Sequence, residues 1–141
     1  MPSQLASLQR WSVIVADTGD LAAIERFRPQ DATTNPSLIL ASARDPRYRP
    51  LVEGALARIE AGSSRDARAE QLIDGLFVAF GRRILELIPG RVSTEVDARL
   101  SFEQHATERK ARRLIELYEQ AGVSRERVLI KIASTWEGIR A

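Results

Sequence analysis

The sequence contains no cysteine and a single histidine, His105. Without cysteine the chain has no disulfide, no thiolate nucleophile and no zinc ribbon. One histidine is too few for a histidine-based metal site or for a Ser-His-Asp triad. The missing thiols also fit a reducing compartment, so we expect a cytoplasmic protein.

Long apolar runs and an excess of charge of one sign are also missing. No apolar stretch is long enough to cross a bilayer, and the opening residues MPSQLASLQRWS show no apolar core of a secretory signal. The 21 basic and 19 acidic residues are interleaved and leave a net charge of +2. This balance argues against a nucleic-acid or membrane partner. A length of 141 residues supports a real core, so we expect one domain over residues 1–141.

The most informative stretch is VLIKIA at residues 128–133. A short apolar run rich in Val and Ile predicts a strand buried on both faces, as in a parallel sheet. Because side chains alternate along a strand, Leu129, Lys131 and Ala133 share one face. Burial disfavours the charged form of a lysine, and a lysine with a lowered pKa is a carbonyl nucleophile that forms Schiff bases. The alternative is a lysine at a strand end that reaches out to water.

Three earlier stretches are also predicted as strands: the apolar run at residues 13–16, residues 32–34, and RVSTEVDARL at 91–100. Helical patterns follow each of them, and Ser101 with Gln104 forms the pattern of a capping box. The longest helix shows one apolar stripe, formed by Ala69, Leu72, Ile73, Leu76, Phe80, Ile84 and Leu87. Strands that alternate with helices predict an α/β fold with a parallel sheet and right-handed crossovers.

Polar residues lie at or near the carboxyl ends of the four predicted strands: Asp17, Asn35, Glu95 and Lys131. In parallel α/β folds this edge of the sheet carries the functional site. A Schiff-base lysine needs a proton shuttle, which a carboxylate such as Glu95 supplies. Asp17 suits acid–base work on a substrate hydroxyl, and the amide of Asn35 suits the orientation of a polyol.

Each of these residues also has a purely structural interpretation. Asp17 in ADTGD suits an Asx-turn, and Asn35 before Pro36 suits the N-cap of a helix. Glu95 has Arg91 and Arg99 near it in sequence as ion-pair partners.

Four stretches resemble transaldolase of the B-type bacterial family: VADTGD at 15–20, QDATTNPSLIL at 30–40, PGRVSTEVDARLS at 89–101 and ERVLIKIASTWEGIRA at 126–141. The resemblance implies a (β/α)8 (TIM) barrel, of which this chain supplies about the first four β/α units. It also implies transfer of a dihydroxyacetone unit between sugar phosphates, from sedoheptulose 7-phosphate to glyceraldehyde 3-phosphate. The family's reaction passes through a lysine Schiff base, needs no metal or organic cofactor and belongs to the pentose phosphate pathway.

The resemblance also assigns roles to individual residues. The family's Schiff-base lysine falls on Lys131 in LIKIAST, and its proton-relay glutamate, which acts through a water, falls on Glu95 in STEVDAR. The aspartate that acts as acid and base in C–C cleavage falls on Asp17 in VADTGD. The substrate-orienting asparagine falls on Asn35 in TTNPS, with Thr33 beside it in the site.

The chain departs from the family in length. A (β/α)8 barrel takes about 250 residues, whereas this sequence offers four strands in 141 residues. We expect either an enzyme completed by a second polypeptide, with a small class I aldolase as a near variant, or a catalytically incompetent half that folds by self-association. Four parallel strands leave two open edges and an uncovered apolar face, so we expect a homo-oligomer or a complex with the missing carboxy-terminal half.

Overall fold

A computed structural model describes residues 3–141 of the chain. Its four strands form one parallel sheet in the order β1-β2-β3-β4. Their bounds are β1 (Val15–Asp17), β2 (Asp31–Thr33), β3 (Val92–Glu95) and β4 (Val128–Lys131). Consecutive strands are neighbours, so the predicted alternation of strands and helices and the parallel sheet are confirmed.

One helix precedes the first strand, and the others connect and follow the strands. Their bounds are α1 (Gln4–Leu8), α2 (Leu21–Phe27), α3 (Pro36–Ala43), α4 (Arg49–Leu56), α5 (Arg65–Leu87), α6 (Gln104–Gln120) and α7 (Trp136–Arg140). The 23-residue α5 is central, since it packs on α2, α3, α4, α6 and β3. Within residues 3–141, no helix combines the length and the apolar character needed to cross a membrane.

The core lies between one face of the sheet and the helices. The strands contribute their even-numbered side chains to it, among them Ala32, Val92 and Val128. Odd-numbered side chains point to the opposite face, where Val13, Val15 and Leu129 are exposed. The sheet therefore has a covered face that stabilises the fold and an open face that carries polar and apolar side chains together.

This arrangement corrects the interpretation of the fourth strand. Strand β4 ends at Lys131, and Leu129 is 43% exposed, so the prediction of burial on both faces is wrong for this chain. The apolar run reflects two different surroundings. Val128 packs into the core, whereas Leu129 belongs to the open face.

Two helix predictions also need correction. In α5, Ala69 and Ile73 are exposed, whereas Phe77 and Val78 are buried, because the helix is packed against α4, α6 and the sheet together. The capping box is wrong as well. Ser101 Oγ donates instead to the carbonyl of Ala98, and α6 begins at Gln104 without a side-chain cap.

Candidate active site

The open face gathers the predicted site residues because side-chain parity is shared across the parallel sheet. Asp17 is the register partner of Thr33, and Thr33 is the partner of Ser93. Two residues further along, Glu95 is the partner of Lys131. Asp17, Thr33, Glu95 and Lys131 therefore lie on one face, at the carboxyl edge of the sheet, and Asn35 follows the end of β2.

Glu95 and Lys131 form an ion pair on this face. Lys131 Nζ lies 3.5 Å from Glu95 Oε2, and their side chains are 39% and 25% exposed. The backbone reinforces the pair, since Val96 N donates to the Lys131 carbonyl at 2.9 Å. The expected burial of Lys131 is wrong: the residue ends β4 and reaches solvent, as in the alternative interpretation, and its ammonium also meets a carboxylate.

Among residues 3–141, neither Arg91 nor Arg99 forms an ion pair with Glu95 within 4.0 Å. Arg99 forms its ion pair with Asp97, with Nη2 2.5 Å from Oδ2. Hydrogen bonds from Arg99 lower the pKa of Asp97 below its ordinary value. Within residues 3–141 the cation found within 4.0 Å of Glu95 is Lys131, the predicted Schiff-base residue.

Asp17 ends β1 with an exposed side chain. The turn that follows is closed by Thr18, whose Oγ1 accepts from the Asp20 backbone N–H at 3.1 Å. Asp20 in turn caps α2 and accepts from the Tyr48 hydroxyl at 2.8 Å, which lowers the pKa of Asp20. Asp17 is three strands from Lys131, and among the described residues no ion pair within 4.0 Å joins the two.

Asn35 has the structural role that its sequence context suggested. Its Oδ1 accepts from Leu38 N at 2.9 Å and caps α3. This leaves the amide –NH₂ group of the same side chain as a donor toward a ligand. Next to it, Thr34 fixes the end of β2, since both its backbone N–H and its hydroxyl donate to the Ser93 carbonyl.

Ser93 shares the open face with the predicted site residues, although it was not among them. It lies on the open face between Thr33 and Leu129 in register, two residues before Glu95 on the same strand. The signal was available, because the parity that places Glu95 on this face places Ser93 there too.

The second lysine of the chain lies in different surroundings. Lys110 Nζ is 2.8 Å from Asp74 Oδ2 and 2.6 Å from Glu70 Oε1, and the side chains of Lys110 and Asp74 are each 9% exposed. Burial alone would lower the pKa of Lys110, but the hydrogen bonds to Asp74 and Glu70 raise it above its ordinary value. Lys110 therefore stays an ammonium ion, which has no lone pair with which to attack a carbonyl.

A family model described as Transaldolase/Fructose-6-phosphate aldolase matches residues 14–141. The chain belongs to the transaldolase/fructose-6-phosphate aldolase family. The matched range contains all four strands and all five predicted site residues. The four parallel strand–helix units fit half of the family's (β/α)8 barrel, so the fold class predicted from the sequence is confirmed.

Individual relatives agree with this assignment. A transaldolase from Sus scrofa is 60% identical over 142 residues, which cover 100% of this chain and 42% of the relative. A transaldolase from Homo sapiens is 58% identical over the same length and the same shares. One from Chromohalobacter salexigens is 58% identical over 140 residues, or 99% of this chain and 44% of the relative. The chain thus spans less than half the length of these transaldolases.

Proposed function

We propose that the chain carries the Schiff-base chemistry of a transaldolase. The observation that carries the proposal is the Glu95–Lys131 pair, 3.5 Å apart at the carboxyl edge of the parallel sheet in a member of this family. The relatives named transaldolase support sugar phosphates as substrates. The reaction would convert sedoheptulose 7-phosphate and glyceraldehyde 3-phosphate into erythrose 4-phosphate and fructose 6-phosphate, as a step of the pentose phosphate pathway in the cytoplasm.

The first half of the mechanism uses the pair directly. The Lys131 ammonium passes a proton to the Glu95 carboxylate through a water, which leaves a neutral amine and a carboxylic acid. The amine attacks the ketose carbonyl carbon and forms a carbinolamine. Glu95 then returns its proton to the departing hydroxyl, water leaves and the Schiff base remains.

The second half needs a base at the substrate hydroxyl. Asp17 removes the proton of the C4 hydroxyl while the C3–C4 bond breaks, which releases the aldose phosphate and leaves a dihydroxyacetone enamine on Lys131. The reverse steps join this unit to the second aldehyde. Asn35 and Thr33 orient the substrate hydroxyls through hydrogen bonds.

The contrast between the two lysines supports the choice of Lys131. Lys110 is held by two carboxylates in a nearly closed environment, with Asp74 on α5 and itself on α6. Lys131 has one carboxylate neighbour, on the adjacent strand, and faces the open side of the sheet.

The division of roles is testable in a completed barrel. We would join this chain to the part of the Chromohalobacter salexigens transaldolase that follows its matched region. Glu95→Gln should slow the formation of a borohydride-reducible adduct, whereas Asp17→Asn should form the adduct and cleave it poorly. Each loss should be on the order of 10²–10⁴-fold. Equal loss of adduct formation in both variants contradicts the proposed roles.

A second candidate function is assembly without turnover. It is consistent with the open face, where Val13 is 64% exposed, and with the 42–44% of the relatives' length that the chain covers. We propose that this face is covered either in a homo-oligomer or by the carboxy-terminal half of a barrel. Light scattering at micromolar concentration, with and without that half, separates the two. A monodisperse 15.7 kDa monomer with a cooperative melt contradicts both.

A further inference from the structure

A fully buried pair of hydroxyl groups lies directly behind the carboxyl end of β3. The Tyr118 hydroxyl is 2.6 Å from Thr94 Oγ1 and donates to the Phe77 carbonyl at 3.1 Å. Because the phenol has one proton, Thr94 is the donor in the first contact. The pair thus links three elements, since Thr94 lies on β3, Tyr118 on α6 and Phe77 on α5.

This contact requires a residue without a side chain in the neighbouring helix α5. A Cβ added at Gly81 would lie 1.9 Å from the Tyr118 hydroxyl oxygen, so only glycine at this position of α5 lets the phenol approach. Tyr118 and Thr94 are both 0% exposed. Burial raises the pKa of Tyr118 above its ordinary range, so the phenol stays neutral and keeps its proton for the hydrogen bond.

The two hydroxyl groups are not needed for the packing of the core. An apolar pair of the same shape, such as valine and phenylalanine, is often as stable in a core as a hydrogen-bonded polar pair. What a satisfied polar network adds is direction, since it holds its members in one arrangement. Thr94 lies between Ser93 and Glu95, and its register partner is Ile130, next to Lys131.

We propose that the Thr94–Tyr118 hydroxyl pair is a positioning device that fixes the height and direction of Glu95 relative to Lys131. The side chain of Thr94 faces the helices, whereas the side chains of Ser93 and Glu95 face the site. The hydrogen bond of Thr94 therefore fixes the backbone of β3 next to Glu95, and with it the direction in which the Glu95 side chain points. Neither hydroxyl touches the reacting atoms. The expected effect on catalysis rests on the proposed function, whereas the expected effect on the position of Glu95 does not.

The test uses four variants of the completed barrel: Tyr118→Phe, Thr94→Val, the double variant and Thr94→Ser. Ile84→Val is the matched control, since Ile84 is a 0% exposed residue of α5 without a polar link to β3. The first readout is the rate of borohydride trapping at Lys131 across pH. The second, independent of chemistry, is amide exchange of Val96, whose N–H donates to the Lys131 carbonyl.

We expect the three hydroxyl-deleting variants to form the adduct on the order of 10–100-fold more slowly, because small misplacements of a catalytic group cost that much. Their pH–rate profiles should shift, and Val96 should exchange faster. Thr94→Ser should restore the rate, and Ile84→Val should lower the melting temperature alone.

The double variant decides between positioning and mere stability. A simple penalty for an orphaned hydroxyl would vanish when both hydroxyls are removed, whereas a positioning role would not. A double variant with an unchanged rate, pH profile and Val96 exchange overturns the proposal. If the unsubstituted barrel forms no adduct, the proposed function fails, and unchanged exchange of Val96 still refutes the positioning role by itself.

Discussion

Removal of the Lys110 ammonium should destabilise the fold strongly. In Lys110→Met the Asp74 carboxylate keeps its place between α5 and α6, 9% exposed, without the cation that lies 2.8 Å away. Breaking a buried pair on one side costs about 3–5 kcal/mol, a large part of the roughly 5–15 kcal/mol that holds a typical domain together. With an unfolding entropy of about 2.1 cal/mol/K per residue, this lowers the melting temperature by about 10–17 °C.

The loss should depend on pH. Burial already raises the pKa of Asp74 above its ordinary 3.8, and the loss of Lys110 raises it further. A carboxyl with a raised folded-state pKa stabilises the fold fully below its unfolded pKa, and this contribution is lost as pH rises through the folded pKa. The free energy of unfolding of Lys110→Met should therefore lie only slightly below that of the parent chain near pH 4, and the difference should be largest at neutral pH.

Urea denaturation followed by circular dichroism, at one protein concentration and several pH values, measures this deficit. Lys110→Met combined with Asp74→Leu should recover much of it, because no charge is left buried. Arg112→Met on the same helix is the control, since its pair with Glu108 is exposed and worth little. A deficit that is equal at all pH values, or that the second substitution does not reduce, refutes the reasoning.

Two further predictions concern stability. Arg127 donates to the carbonyls of Leu85 in the last turn of α5 and of Ile88 and Gly90 after it. Arg127→Met should therefore cost about 2–3 kcal/mol in the free energy of unfolding, and a cost under a few tenths of a kcal/mol in urea denaturation would contradict this role. Gly81→Ala should lower the melting temperature, because its Cβ meets a buried phenol at 1.9 Å. A Cβ added at Gly54 in α4 meets nothing within 4 Å, so Gly54→Ala should raise the melting temperature. If Gly81→Ala raised the melting temperature and Gly54→Ala lowered it, the Tyr118 phenol would be free to move aside.

The sequence predicted which strand residues share the open face better than it predicted the core. Alternation along a strand needs no knowledge of packing, so the position of Glu95 beside Lys131 followed from strand ends and parity. The same rule places Ser93 on this face, although it was not predicted as a site residue. Serine is common in strands and loops, however, and nothing about its type marked it as functional.

The misses have a shared cause, which is that they depend on contacts between distant elements. Asp74 lies in α5, where the sequence predicted only an apolar stripe, and its partner Lys110 is 36 residues away. Only the packing of α5 against α6 therefore reveals the pair. Gly81 is likewise explained only by Tyr118. The exposure of Leu129 depends on which face the helices cover, and an apolar run does not encode that choice.

The central claim is that Lys131 is the covalent residue, and the chain offers an internal control because Lys110 is its only other lysine. The completed barrel, treated with fructose 6-phosphate and borohydride, should carry a reduced three-carbon adduct that peptide mass spectrometry maps to Lys131. Lys131→Ala should carry none. An adduct on Lys110, or one that survives in Lys131→Ala at a lysine of this chain, would contradict the account.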